Sequence, residues 1–238
     1  MNNTISNGLL ILFTLLTVIS YGQDVSIIHE NENPNKAENP NGFDYIENNY
    51  KIEDDRYIAT LKGVVTNSGQ SILSNLFNSF WKTANEIGGN SFRFEKIKKS
   101  YGFVLIEISV YNLTDFHYKE MVKLYPANMV YVIGDLDISK TPKKFKFNNE
   151  KKELAPMEFI EYQNQIGGKA SVGIGGFLGT KISIKGKKGD LPMYLSLGGF
   201  NVGPNRSGEV GLSFSTGKIR PVDLNFGQFL ISILSEGK

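Results

Sequence analysis

The feature that most constrains this fold is a run of apolar residues at helical spacing, which lies between two β-prone segments. Eight apolar side chains recur at spacings of one, three and four residues, which places them on one helical face: Ile72, Leu73, Leu76, Phe77, Phe80, Trp81, Ala84 and Ile87. Residues 66–69 before it, Thr-Asn-Ser-Gly, offer helix-capping chemistry. Gly88 and Gly89 follow it, and glycine tolerates the left-handed backbone that ends many helices. The stripe predicts one helix lying on a small sheet.

The segments around this helix predict the sheet. Residues 57–66 are rich in β-forming side chains, and Phe92 and Phe94 alternate with polar residues as in a half-buried strand. Residues 103–111 form a third β-prone run. The order strand, helix, strand, strand predicts a βαββ module with one amphipathic helix.

Residues 84–92 of this module read Ala-Asn-Glu-Ile-Gly-Gly-Asn-Ser-Phe. This step resembles the A-x-x-x-G-G-N-S step of small bacterial envelope modules of the RcsF and YbjQ kind. The resemblance implies a βαββ shape and an envelope setting, but no activity. The chain has no cysteine, so a disulfide-held, lipid-anchored stress sensor is not implied. The amino-acid usage, rich in Asn, Lys and Ile, is similar to that of secreted proteins of Bacteroidota.

The second half of the chain differs in composition and in hydrophobic pattern. Glycine is frequent from Ile166 onward, and short alternating runs recur between Gly-rich or Pro-containing breaks, at 170–174, 180–185, 193–197 and 209–215. This spacing predicts an antiparallel meander, sandwich or small barrel. An earlier hairpin is predicted around residues 148–151, and residues 226–234 predict a short closing helix. The fold class expected is therefore α+β, with a βαββ module followed by a Gly-rich antiparallel β module.

The domain organisation follows from these changes in composition. We expect a signal peptide over residues 1–22 and a flexible leader over 23–42, which is polar and rich in Asn and Pro. An α+β module over 43–135 and a β-rich module over 145–238 should follow, joined by a linker at 136–144.

The first 22 residues predict export. An apolar run of eleven residues, 9–19, is followed by Ser20, Tyr21 and Gly22, which form a small-x-small site ahead of Gln23. The run is shorter than the roughly 20 residues that cross a bilayer. We therefore expect cleavage between Gly22 and Gln23 and a secreted or periplasmic protein. Residues 1–8 contain no Lys or Arg, so an uncleaved membrane anchor and a buried apolar strand stay open as alternatives.

Composition excludes several kinds of site. Without cysteine there is no thiol catalysis and no cysteine-ligated metal. With two histidines, a three-His zinc site is excluded and a Ser-His-Asp triad would have to rest on His117, because His29 lies in the polar leader. Asp115, His117 and Glu120 are interpreted as a solvated polar face.

Two further patterns fall short of a site. The glycines from Gly173 onward lack the G-x-G-x-x-G spacing, and no G-K-[ST] occurs. Asp135 and Asp137 lack the further oxygen ligands of a calcium loop. No catalytic, cofactor-binding or metal residue is predicted, and the function expected is non-enzymatic binding or envelope structure. A secreted carboxylate-dependent hydrolase, such as a glycosidase, stays open because its residues need no local motif.

Charge is unevenly distributed along the chain. Residues 23–60 carry a formal −6 and residues 61–238 a formal +8, within a total of +2. This positive balance is too diffuse to predict nucleic-acid binding. Four lysines cluster at a predicted hairpin end, Lys181, Lys185, Lys187 and Lys188. They are interpreted either as an edge kept soluble by lysine or as a contact with anionic glycan or lipid head groups.

Overall fold

A computed structural model describes residues 25–37, 40–65, 70–100, 103–175, 179–198 and 219–235 of the chain. The signal peptide predicted at 1–22 and the strand predicted at 209–215 lie outside these residues. In chain order the elements are β1 (Val25–Glu30), β2 (Asp44–Tyr45), β3 (Tyr57–Val65), α1 (Gln70–Glu86), β4 (Ser91–Ser100), β5 (Phe103–Tyr111), α2 (Asp115–Val122), β6 (Met129–Ile133), β7 (Lys143–Phe147), β8 (Glu150–Leu154), β9 (Phe159–Gln163), β10 (Lys169–Ile174), β11 (Thr180–Lys185), β12 (Met193–Ser196), β13 (Arg220–Val222) and α3 (Leu224–Ser235). The α+β class is confirmed.

The first layer is a five-stranded sheet, here called the helix-backed sheet, with strand order β1-β3-β5-β4-β2. It contains the predicted βαββ unit, β3-α1-β4-β5. The apolar stripe of α1 lies against it, and Leu76, Phe77 and Phe80 are fully buried. Gly63 of β3 allows this close approach, because a Cβ there would lie 2.4 Å from Leu76 Cδ1 and 2.7 Å from Phe80 Cζ.

The segment predicted as a flexible leader, residues 23–42, is hydrogen-bonded to the first module, since the Asn35 and Ala37 N–H groups donate to the Asp55 and Gly88 carbonyls at 3.2 and 2.9 Å. Residues 25–30 form β1, which pairs antiparallel with β3 along the edge of the helix-backed sheet. Its side chains are mostly exposed, so no clear apolar pattern marks the strand. Backbone hydrogen bonds to β3 provide its order instead, and the sequence pattern does not report these.

The second layer, here called the central sheet, has the order β13-β12-β6-β9. β6 is buried on both faces: Val130 and Val132 belong to one apolar cluster, and Tyr131 and Ile133 belong to the other. β6 pairs in parallel with β12 and antiparallel with β9. Strand pairing thus crosses the linker predicted at 136–144, and the two predicted modules share one sheet.

The closing helix, α3, lies between the helix-backed sheet and the central sheet. Phe226 and Phe229 are fully buried and contact Phe77 of α1, with ring centroids 5.1 and 5.2 Å apart. Gly227 lets the Tyr194 ring of the central sheet approach the helix, since a Cβ there would lie 2.3 Å from Tyr194 Cγ. The closing helix therefore joins the two sheets through one aromatic core.

The third layer is a four-stranded antiparallel sheet, here called the lysine-rich sheet, with the order β11-β10-β7-β8. Its inner face contributes Phe145, Phe147, Ala170 and Val172 to the cluster that contains Val132 of the central sheet. The predicted hairpin around 148–151 is present as β7-β8. Because the inner face is covered by the central sheet, the alternate side chains of these strands point to solvent.

Candidate functional site

The outer face of the lysine-rich sheet is the candidate functional site. Partners in the strand register share a face, and the alternation of buried and more exposed residues in β7 and β11 identifies it. The outer positions are Lys144 and Lys146 on β7, Lys151 and Glu153 on β8, Lys169, Ser171 and Gly173 on β10, and Lys181, Ser183 and Lys185 on β11. Six of these ten positions are lysines, and only Glu153 is acidic.

One row of this face crosses all four strands. Lys181 lies opposite Gly173, Gly173 lies opposite Lys146, and Lys146 lies opposite Lys151. A second pair of lysines, Lys169 and Lys185, lies directly opposite across β10 and β11. Like charges directly opposite one another destabilise a sheet, by up to about 1 kcal/mol for each pair. The face therefore carries two unfavourable pairs.

Apart from Glu153, which lies opposite Lys144 on β8, neighbouring groups of the protein do not compensate this charge. Within the described residues, no carboxylate oxygen lies within 4.0 Å of the six ammonium groups, although Lys143 and Lys152 on the inner side have such partners. Lys181 Nζ donates a hydrogen bond to Asn149 Oδ1 at 3.1 Å, which positions the ammonium group without neutralising it. All six lysines are exposed, so an anionic ligand can reach them.

The four lysines predicted as a cluster divide between two places. Lys181 and Lys185 lie on the outer face, whereas Lys187 and Lys188 lie in the exposed turn after β11. That turn is held by Asn128, whose side-chain amide donates to the Lys187 carbonyl at 2.8 Å and accepts from its N–H at 2.9 Å.

Sequence reasoning missed four lysines of the site: Lys144, Lys146, Lys151 and Lys169. One local signal could have found the first two, because Lys144 to Phe147 alternates lysine with phenylalanine. Alternation of this kind predicts a strand with a charged outer face. The other two lysines come from separate strands, and only their pairing with β7 or β11 places them on the same face.

His117 is not part of a solvated polar face, and that interpretation was wrong for this residue. It is 8 % exposed, and its Nδ1 lies 2.7 Å from Thr114 Oγ1. Its Nε2 lies 3.3 Å from Glu53 Oε2. The Thr114 hydroxyl also accepts from the His117 N–H, in a capping box that begins α2.

The hydroxyl, imidazole and carboxylate in this group form a chain of contacts, but the local backbone already explains it. A hydrogen bond from its own backbone N–H, together with the nearby His117, lowers the pKa of Glu53. The arrangement holds the start of α2 against the loop that contains Glu53. The Thr114 hydroxyl is engaged in capping α2, so the arrangement does not point to a nucleophile.

A buried polar cluster joins β2 to the closing helix. The Asn225 side chain accepts from the Tyr45 N–H at 3.0 Å and donates to Asp44 Oδ1 at 3.2 Å. The Tyr125 hydroxyl donates to the Tyr45 carbonyl at 2.6 Å. Burial raises the pKa of Tyr125 well above its ordinary value, and the nearby Asp44 adds to this effect. The cluster satisfies the backbone N–H and carbonyl groups of Tyr45 in a short edge strand, which is a structural role.

Asp135 and Asp137, the acidic pair for which no metal site was predicted, accept hydrogen bonds within their own turn. Asp135 Oδ1 accepts from the Asp137 N–H at 3.1 Å, and Asp137 Oδ1 accepts from the Ser139 hydroxyl at 2.7 Å. The Ser139 hydrogen bond lowers the pKa of Asp137. No group of three or more His, Asp or Glu side chains suited to a metal ion occurs in the described part of the chain.

Of the helices in the described ranges, none has the length and apolar character needed to cross a bilayer. No family model, curated protein or solved structure matches this chain. Function therefore has to be inferred from the residues themselves.

Proposed function

We propose that this chain is an exported, non-enzymatic binding protein and that the outer face of its lysine-rich sheet binds an anionic partner. The partner class is an anionic glycan or the head groups of anionic lipids. The observation that carries the proposal is the pairing of lysine with lysine across β7-β8 and across β10-β11, without carboxylates in contact.

Edge protection does not account for this pattern. Lysines keep exposed sheet edges from pairing with other chains, and this explains Lys151 on β8 and Lys181 and Lys185 on β11. Lys146 and Lys169, however, lie on β7 and β10, which are interior strands of the sheet. Their positions favour a binding face over edge protection.

The expected binding is multivalent and sensitive to salt. A lysine near an anionic surface contributes about 1 kcal/mol, so several lysines together give useful affinity although each alone is weak. Because the ammonium groups are exposed, their interactions are screened at distances beyond about 8–10 Å at physiological ionic strength. Binding should therefore weaken steadily as salt is added.

The principal test replaces three lysines of one row, in the variant Lys146→Gln, Lys151→Gln, Lys181→Gln. Its binding to alginate, dextran sulfate and phosphatidylglycerol vesicles is compared with that of the wild type, with uncharged dextran as the blank. We expect a loss of about 100-fold, at roughly 1 kcal/mol for each lysine. The matched control, Lys51→Gln, Lys98→Gln, Lys119→Gln, removes three exposed lysines that lie outside the lysine-rich sheet and form no ion pair among the described residues, and it should bind as the wild type does. Equal affinity of the triple variant and the wild type contradicts the proposal.

Export and the absence of catalysis are separate parts of the proposal. The apolar run at 9–19 and the small-x-small site ahead of Gln23 support export, and the RcsF- and YbjQ-like step supports an envelope setting. Amino-terminal sequencing of the exported protein should find Gln23 first, whereas a start at Met1 supports an uncleaved anchor. Turnover in a glycosidase panel that is lost on changing one pair of carboxylates would favour the hydrolase alternative.

A further inference from the structure

Ile166 is the most exposed large hydrophobic side chain among the described residues, at 69 %. It lies in the loop between β9 and β10, and its backbone forms a bridge with Gly186, which directly follows β11. Single apolar side chains on a protein surface are common and by themselves indicate nothing. The charge around Ile166 is what distinguishes it.

The segments that this bridge joins are strongly basic. They contain or adjoin four exposed lysines, Lys169, Lys185, Lys187 and Lys188. Lys185 and Lys187 flank Gly186, the bridge partner of Ile166, and paired residues in neighbouring strands lie about 5 Å apart. Within the described residues, no carboxylate oxygen lies within 4.0 Å of these four ammonium groups. We call Ile166 together with the four lysines the basic tip.

Two other apolar side chains are almost as exposed, Phe116 at 68 % and Ile138 at 63 %. Both lie beside an acid in the sequence, since Phe116 follows Asp115 and Ile138 follows Asp137. Asp137 lies 3.8 Å from Lys140 Nζ, so the charges near Ile138 are balanced. Between residues 164 and 190, in contrast, five lysines face one acid. An anionic surface is therefore attracted to the basic tip more than to either of the other two sites.

The two segments of the basic tip are held together by hydrogen bonds. The Gly167 N–H donates to the Gly186 carbonyl at 2.8 Å, and the Gly186 N–H donates to the Gly168 carbonyl at 3.0 Å. The Asn164 side chain donates to the Ile184 carbonyl at 3.1 Å. Because the backbone is already fixed, the tip loses little conformational freedom when it binds a partner.

We infer that the basic tip binds the surface of an anionic lipid bilayer, where Ile166 enters the boundary between head groups and acyl chains. This inference rests on the proposed function and names the lipid as the partner, since Lys169 and Lys185 also belong to the outer face of the lysine-rich sheet. Lysine side chains place their apolar stems along such a boundary and keep their ammonium groups among the head groups. Membrane binding of this kind combines buried apolar area with attraction to anionic lipids.

Ile166 also separates the two partner classes of the proposed function. A bilayer offers an apolar layer beneath its charged surface, so an exposed isoleucine gains from contact with it. An anionic glycan such as alginate is charged and hydrated along its length and offers no such layer. Removal of the apolar group should therefore weaken binding to vesicles and leave binding to the glycan unchanged.

The principal test is Ile166→Ser, which removes the apolar group without a change in charge. Because the side chain is exposed, this variant should fold as the wild type does. We expect its affinity for phosphatidylglycerol vesicles to fall about tenfold, while binding to alginate and dextran sulfate stays within about twofold of the wild type. The matched control, Ile138→Ser, removes the same group from a site with balanced charge and should bind vesicles as the wild type does.

A second variant, Ile166→Trp, reports insertion directly, because tryptophan is favoured at membrane interfaces. We expect its fluorescence emission to move to shorter wavelength on phosphatidylglycerol vesicles and to be quenched by brominated lipids. The wild type, in which Trp81 is the only tryptophan, provides the background. Phosphatidylcholine vesicles, which have no net charge, should produce no shift. An emission maximum that is unchanged on phosphatidylglycerol vesicles would show that position 166 stays in water and would overturn the inference.

The outcomes separate this inference from the proposed function. If Ile166→Ser binds phosphatidylglycerol vesicles as the wild type does while the triple lysine variant loses binding, insertion of the basic tip is wrong and the basic face stands. If the wild type binds alginate or dextran sulfate but not the vesicles, the lipid is the wrong partner. If the triple lysine variant binds every probe as the wild type does, the proposed function fails, and the inference that rests on it fails too.

Discussion

Two solvent-facing sheet surfaces of this protein treat charge in opposite ways. On the helix-backed sheet, Glu107 lies between Lys62 and Lys96 in the strand register, and Lys96 Nζ lies 3.0 Å from Glu107 Oε2. On the lysine-rich sheet, the equivalent row runs from Lys181 through Gly173 to Lys146 and Lys151, with no acid in it. Both surfaces are mainly antiparallel strands above an apolar layer.

The difference shows that solubility alone does not explain the lysine-rich face. Alternating lysine and glutamate keeps a sheet surface polar and adds favourable cross-strand pairs. Lysine beside lysine keeps the surface polar at a cost in stability. A surface that retains this repulsion between lysines is the one expected to bind an anionic partner.

The largest effect is expected when the row of the helix-backed sheet that contains Glu107 is made entirely positive, like the row of the lysine-rich sheet. Glu107→Lys removes the ion pair with Lys96 and places three lysines side by side on the helix-backed sheet. The carboxylate it replaces is only 14 % exposed, so we expect a loss of roughly 1–2 kcal/mol in the free energy of unfolding. Urea unfolding measures it, with Glu107→Gln as a control that should lose less. A midpoint equal to that of the wild type would contradict the contrast.

The reverse change should stabilise the lysine-rich sheet. Lys151→Glu converts the like-charged pair with Lys146 into an opposite-charge pair, and we expect a gain of about 0.2–1 kcal/mol in the free energy of unfolding. Binding to alginate should fall at the same time. Lys151→Gln, which only removes the repulsion, should gain about half as much. If both variants are less stable than the wild type, the repulsion between Lys146 and Lys151 is not significant.

Salt should narrow the difference between these variants. Raising NaCl to about 0.5 M shortens the screening length to a few ångströms, which weakens both the repulsion in the wild type and the attraction in Lys151→Glu. Melting temperatures measured across a NaCl series should therefore converge. The same series run on Ile138→Ala provides the control, because this exposed position lies outside the lysine-rich sheet, the substitution changes no charge, and its offset from the wild type should stay constant. Parallel curves for Lys151→Glu and the wild type would argue against an electrostatic origin.

The smallest effect is expected at Glu47, a half-buried carboxylate with no ion-pair partner among the described residues. Burial raises the pKa of Glu47 above its ordinary 4.5, and its Oε1 accepts a 3.4 Å hydrogen bond from Gln228. The charged form of Glu47 is therefore disfavoured in the folded state, which lowers the free energy of unfolding at pH values above the folded pKa. This loss of stability disappears as the pH falls below 4.5. We expect Glu47→Gln to be slightly more stable than the wild type near pH 7 and equal to it in acid. Thermal unfolding across this range checks the sign, and a stability difference that grows in acid would reverse it.

The local elements of this fold were predictable because their patterns are local. The stripe from Ile72 to Ile87 predicted α1, and the hairpin predicted around residues 148–151 is the pair β7-β8. β1 was missed, because its side chains are exposed and its order comes from pairing with β3.

The candidate site was predictable only in part. Two of its lysines, Lys181 and Lys185, were found because they lie four residues apart on one strand. Lys146 and Lys151 belong to a hairpin whose presence was predicted, although its charged face was not recognised. The parallel pairing of β12 with β6, which joins the two halves, has no local signal, because the paired segments are about 60 residues apart.

The sequence by itself determined most elements of this protein, although not β1, together with its lack of cysteine chemistry and the positive balance of its second half. Periodicity and composition are properties of neighbouring residues, so they can be taken directly from the chain. The tertiary structure alone decided that the hairpins β7-β8 and β10-β11 join into one sheet and that their lysines share a face. Strand register is set by non-local pairing, and a shift of one residue moves every side chain to the opposite face.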